Sequence, residues 1–165
     1  MGIAEDISKI IDQERALAFP EFDENAAFSI GAIIREAALA GRHAIVCDIR
    51  TWDRPLVYLA MPGSTGDNPT WAERKSNVVR RLLRSSYRVV LEQNRPDQTF
   101  HEERAMPVMD YALSGGSFPI RVQGAGVIGA ITVSGLKQRD DHSLVVSALC
   151  KHLGADGAAL ALAAA

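Results

Sequence analysis

Cysteine is nearly missing from this chain: among 165 residues only Cys47 and Cys150 carry thiols, far apart and each inside an apolar run. That usage excludes a secreted disulfide framework and a cysteine-based zinc site, and reads as two buried, reduced side chains of a cytoplasmic protein. Aromatic residues make up only 6% of the sequence, and the net charge is −2 with a pI near 6.1. The surplus of Lys and Arg that general binding to nucleic acid requires is therefore absent, although a local basic patch is not excluded. No apolar run reaches membrane-spanning length. The amino end, MGIAEDISKI, has neither a basic n-region nor an apolar h-region, and Asp6 stands where a myristoylation signal wants Ser or Thr. Neither export nor membrane insertion is expected. Without an internal repeat, a low-complexity linker or a break in composition, residues 1–165 read as a single domain, large enough to bury about two thirds of its unfolded surface.

What is present is led by the stretch SGGSFPIRVQGAGVIGAITVSG from Ser114 to Gly135. Phe118, Ile120 and Val122 alternate with polar residues, Gly124-Ala125-Gly126 supplies a turn, and the return run Val127–Val133 is apolar on both faces. This predicts a hairpin whose second strand is central. Upstream, helices are expected over Glu5–Ala18 and, after an Asp23 cap, over Glu24–Ala40 with Gly41 at its end. A second hairpin follows from His43–Arg50 and Leu56–Met61. Asn68-Pro69 then reads as the start of a long helix in which Trp71, Val78, Val79, Leu82 and Leu83 form the apolar side and Arg74, Lys75, Arg80, Arg81, Arg84 and Arg88 crowd the rest. Pro96 and Pro107 interrupt the pattern between Gln93 and Met109, Asp140 or Asp141 caps a last helix ending at Gly154, and the Ala-rich tail beyond Gly157 reads as a short helix or a frayed end. Two hairpins without β-α-β alternation predict an antiparallel sheet with helices.

Chemistry is thinly written. The Gly63–Asn68 loop running into a helix would attract an anion through free backbone N–H groups, yet it lacks Gly-Lys-Ser/Thr and carries Asp67. Arg74 and Lys75, if folded back towards it, could hold a carboxylate; as a solvated face or as subunit-pairing groups they need no ligand. His43 and His152 read as structural, and His101 as solvent-exposed in a polar segment. His142, beside Asp140-Asp141, has a carboxylate to orient it as a base or axial ligand, against the plain reading of a neighbour to a helix cap. No metal signature and no Ser-His-Asp set is present, so no metal site is expected and no catalytic residue can be named. Gly115 and Gly116 suit either close backbone packing or a planar ligand lying on backbone.

The combination of Asp67-Asn68, Trp71 and Arg74-Lys75, Ser85-Ser86, DYALSGGSFPI at Asp110–Ile120, GVIGAITVSGL at Gly126–Leu136 and DDH at Asp140–His142 resembles a UPF-type subfamily of the HbpS-like and GlcG-like "haem-degrading domain" group. The resemblance spans the chain from the first helix to the last. It implies a profilin-like (GlcG-like) α+β fold with a five-stranded antiparallel sheet, the fifth strand falling between Gln98 and Arg104, and a homo-oligomer. It also implies a small-ligand-binding protein, with haem as the ligand or as the molecule degraded, and Asp67, Asn68, Trp71, Arg74, Lys75, Gly115, Gly116 and His142 as the candidate binding residues. Ser114 stands where the group often has glycine or histidine, and Thr132 where it tends to have glycine; both narrow the space beside the hairpin. The competing expectation is a non-enzymatic homo-oligomeric interaction module in which the same polar residues hold subunits together.

Overall fold

The computed structural model describes residues 2–165. α1 (Ile3–Ala16) leads to α2 (Glu24–Gly41), which Asp23 starts by accepting a hydrogen bond from the Ala26 N–H at 2.9 Å. Arg42, rather than Gly41, takes the left-handed position that ends α2, with φ 52°. β1 (Val46–Thr51) and β2 (Arg54–Ala60) make the first hairpin, and β3 (Ser117–Val122) and β4 (Gly126–Ser134) make the second, as the alternation predicts. The sheet runs β2-β1-β4-β3, antiparallel throughout, so β4 is indeed a central strand.

Each rung of the sheet has a chemical character set by the period of two. Ile49, Ile131 and Phe118 are register partners on one face, where they join Ile30, Ile34 and Ala38 of α2 and Val145 and Leu149 of α5 (Gln138–Leu153) in the main core. The neighbouring rung, Asp48, Thr132 and Ser117, points the other way and is polar. Ser117 and Thr132 share a hydrogen bond at 2.8 Å, and Asp48 takes both arms of Arg50 at 2.7 and 2.8 Å. α3 (Asp67–Leu82) covers that face, against β4, β3 and β1.

The long third helix is in fact two. Leu83 goes left-handed at φ 58°, ending α3, and α4 (Ser86–Gln93) starts afresh after Ser85. The break is held from α1: the buried Glu14 carboxylate accepts from the Ser85 N–H and hydroxyl, both at 2.8 Å, and from Arg88 at 2.7 Å. Arg84 and Arg88 both pair with Glu92 as well. The arginines there are neutralised in place rather than offered as a patch.

Among the described residues four strands form, not five. Gln98 and Ala105 are left-handed (φ 54° and 53°), and Glu102–Arg104 is a single 3-10 turn, so the segment expected to supply the fifth strand cannot stay extended. Its carbonyls are met by arginine side chains instead of a ladder: Arg95 donates to Thr99 O at 2.7 Å, and Arg81 to Arg104 O and Ala105 O at 2.8 and 2.7 Å. The last helix starts at Gln138 after Lys137, so Asp140 and Asp141 lie inside its first turn rather than capping it. The tail forms α6 (Gly157–Leu160) and is strapped down, with Lys9, Gln13 and Arg139 donating to the carbonyls of Ala159, Leu160 and Ala163 at 2.8, 2.7 and 2.6 Å. No helix among the described residues is long and apolar enough to cross a membrane.

Candidate functional site

Spacing on α3 brings Asn68, Trp71 and Lys75 to one side of the helix, three and four residues apart. Asn68 does not cap the helix as expected; Gly66 holds that position, and the Asn68 side-chain oxygen accepts from the Thr65 N–H at 2.8 Å. Lys75, one turn below Trp71, is only 3% exposed. Its ammonium donates to Asp141 Oδ2 at 2.9 Å and to the Val133 carbonyl at 3.2 Å, and the other Asp141 oxygen accepts from the Leu136 N–H at 2.9 Å. The pair ties the middle of α3 to the start of α5 across the end of β4.

Gly116 makes room for it. With φ at +128°, a Cβ there would collide with the Val133 carbonyl and come within 2.9 Å of Lys75 Nζ, so only glycine fits both the backbone and the space. Lost hydration lowers the Lys75 pKa, which the Asp141 charge and hydrogen bond partly offset. Lost hydration likewise raises that of Asp141, opposed by Lys75 and by the Leu136 and Gly135 N–H groups. Each partner thus offsets part of the other's desolvation.

This pair floors a cleft of about 250 Å³, lined by Asn68, Trp71, Ser114, Ser134, Leu136 and the pair itself. Trp71 is 43% exposed at its side. Neither Ser114 nor Ser134 spends its hydroxyl on the described protein, so both are free to bond a guest.

The remaining candidates lie elsewhere. Asp67 is exposed in the first turn of α3 and does not line the cleft. Arg74 lies over the Trp71 ring, 4.6 Å from its centroid, and donates to the Val108 carbonyl at 2.8 Å. Gly115 donates its N–H to Gln138 Oε1 at 3.1 Å and packs so tightly on Tyr87 that a Cβ would come within 2.7 Å of the ring.

His142 is sealed in the interior at 0% exposure, between the rings of Tyr87 and Phe118 with centroids 5.3 and 5.8 Å away. Its Nε2 is 2.8 Å from Gln13 Oε1. Because the Gln13 amide nitrogen is occupied with Leu160 O, its oxygen must accept, which assigns the proton to Nε2 and leaves Nδ1 bare and without a partner. Burial, seconded by the Arg139 charge, pushes the imidazole pKa down to about 3, so it is neutral at ordinary pH. Asp67, Arg74 and His142 therefore do not converge.

Asp141 is the site residue that sequence reasoning passes over. DDH draws attention to the histidine, whereas the carboxylate that matters pairs with a lysine 66 residues away, a distance no local pattern encodes. A second cavity, about 390 Å³, lies within the loop after α4, walled by Phe100, His101, Met106, Pro107 and Val108. α3 holds that loop through its polar side, with Asn77 donating to Asp110 O at 2.8 Å beside the Arg74 and Arg81 bonds.

An antiparallel sheet with helices on both faces, and a buried charged pair at its end, defines a class of small α+β proteins. Solved structures share the fold: that of the Ybr137w protein superposes with a TM-score of 0.82 at 26% identity over 90% of this chain and 89% of that one. HbpS does so with a TM-score of 0.62 at 19% identity over 81% and 91%, and the PduOC:Heme complex with 0.66 at 15% over 78% and 93%, likenesses of fold alone. The chain belongs to the HbpS-like family, described as "Haem degrading protein HbpS-like", whose model matches residues 22–150, and within it to the UPF0303 proteins. A UPF0303 protein of Mesorhizobium japonicum is 58% identical over 163 residues, covering 99% of this chain and 98% of the relative. One of Brucella melitensis is 57% identical over 159 residues, covering 96% and 94%.

Proposed function

We propose that this protein binds a small polar ligand in the cleft between the start of α3 and the β4–α5 turn. One observation carries the reading: the Lys75–Asp141 pair is buried, yet one side of it opens on a cleft with two uncommitted serine hydroxyls and a half-exposed tryptophan. A charged pair that served packing alone would be expected to close over with apolar side chains. A guest would bond Ser114 and Ser134 and stack on Trp71. The test is a screen of small polyols and hydroxy acids by chemical-shift perturbation. A true ligand moves the Trp71 indole signal and is lost in Lys75→Met; a ligand indifferent to that substitution binds elsewhere, and the reading falls.

Haem enters through the relatives, and the cleft does not suit it. None of the usual haem-iron ligands, His, Cys, Met or Tyr, lines it, and His142 is walled off. The histidine that meets a cavity is His101, with Phe100, Met106 and Val108 as apolar walls, so the haem reading moves there from His142. Haem in that cavity would be held through His101 and would supply a redox-active iron. The Arg95 guanidinium, now 2.6 Å from His101 Nε2, would have to swing aside. A haemin titration decides: a stoichiometric Soret shift lost in His101→Ala but kept in His142→Gln supports this placement, and unsaturable binding indifferent to both ends it.

Homo-oligomerisation is the second reading, favoured by a stripe of Phe28, Ala32 and Leu39 left exposed along the outer side of α2. Phe28 is 53% and Leu39 46% exposed, on a helix whose opposite side fills the core. A cytoplasmic location agrees with Cys47 and Cys150, both free and buried, the Cys47 thiol being pushed far up by burial.

A further inference from the structure

We infer that Lys75 is a reactive amine that captures a small, uncharged, hydroxylated aldehyde in the cleft as an iminium ion. The inference rests on the cleft being a ligand site and names the chemistry of its guest.

Three features carry it. The first is access: Lys75 and Asp141 are 3% and 1% exposed, but both line the 250 Å³ cleft, so a molecule of a few heavy atoms in that cleft touches the amine directly. The second is an adjacent proton acceptor. Asp141 Oδ2 lies 2.9 Å from Nζ and is fixed from behind by the Leu136 N–H, which orients the carboxylate whether or not it holds a proton. The third is the balance of charge. Lys75 offsets Asp141 within the cleft, and no other charged side chain lines it, so nothing favours a charged guest over a neutral one. The free hydroxyls of Ser114 and Ser134 ask instead for hydroxyl and carbonyl oxygen.

The steps balance with these groups alone. Asp141 takes a proton from the Lys75 ammonium; the nitrogen lone pair attacks the carbonyl carbon, and the C=O pair moves to oxygen. That oxygen collects two protons, one returned by Asp141 and one from the nitrogen, and leaves as water while the C=N bond forms. Aldehyde plus ammonium gives iminium plus water, with one positive charge before and after. Asp141 is again a carboxylate beside the iminium once it has returned the proton, and no oxidant or reductant is needed. Burial favours the reaction, because each pKa unit by which a lysine falls raises its free-amine fraction about tenfold at neutral pH.

The experiment uses glycolaldehyde with cyanoborohydride, which reduces the iminium to a stable secondary amine, followed by peptide mapping. Lys9, Lys137 and Lys151, the other lysines, serve as internal controls. The adduct is expected on Lys75 first, before any of those three. Asp141→Asn should slow it at Lys75 alone. Since that change breaks a buried pair, Ser114→Val serves as a second variant, filling the cleft with the pair intact and blocking the adduct without lowering the melting temperature. Labelling of Lys75 no faster than that of the other lysines overturns the inference, as does labelling unaffected by Ser114→Val. Ethylene glycol, which cannot condense, separates the two levels. If it shifts the Trp71 signal while no adduct forms, the cleft is a ligand site and the amine chemistry is wrong; if it leaves Trp71 unmoved and no adduct forms, both fail.

Discussion

Adjacent in sequence, Asp141 and His142 face different neighbours, and each responds to pH in its own way. The folded-state pKa of His142, about 3, lies below the ordinary value of 6.5, so the unfolded chain takes up the proton more readily. Its contribution to stability is therefore complete above pH 6.5 and is lost as pH falls towards 3, a span worth about 5 kcal/mol. Denaturant titrations between pH 7 and 4 should show this slope in the native protein and a flatter one in His142→Gln; parallel slopes would show that the imidazole is not sealed. Gly116→Ala tests the other side of the same region. Forcing a side chain into positive φ against Lys75 should cost about 3 kcal/mol in chemical denaturation, with the Lys75–Asp141 bond broken. At this scale the sequence is legible in parts. Asn68, Trp71 and Lys75, singled out by their motif, line one cleft, and Gly116 lies against Lys75. His142 looks chemical because histidine is usually so, and nothing in DDH tells that its ring faces Gln13.

At the scale of elements, periodicity serves the hairpins well and fails at Leu83. Helical spacing runs straight through the break, because what stops α3 is a carboxylate from α1, more than 60 residues upstream. The loop after α4 misleads in another way. The family resemblance implies a strand there, but side chains on α3 satisfy its carbonyls and remove the need for a partner strand. The arginines that look like a basic surface are thus fasteners. Arg81→Ala should free two carbonyls and cost about 1 kcal/mol locally. Amide exchange should quicken around Arg104 and Ala105 while the melting temperature barely moves; unchanged exchange would mean that the loop holds itself.

For the whole molecule, the count of strands is the main departure from expectation, and it leaves β2 and β3 as the outer strands of the sheet. The order and burial of the other elements follow from patterning that a single sequence displays. What it does not display is how many copies associate, since an exposed apolar stripe and a buried one have the same spacing. Light scattering should give a mass above the 17.8 kDa of one chain, and Phe28→Glu with Leu39→Glu should return it to that value. A monomer before the substitutions, or an unchanged oligomer after them, would remove α2 as the contact. The Lys75–Asp141 pair also constrains how this sequence can drift over generations. Losing either partner alone strands a buried charge at a cost of about 3–5 kcal/mol, a large part of a typical domain's margin of about 5–15 kcal/mol. The two codons are thus expected to change together or not at all, so a descendant with an apolar residue at one position should carry an apolar residue at the other.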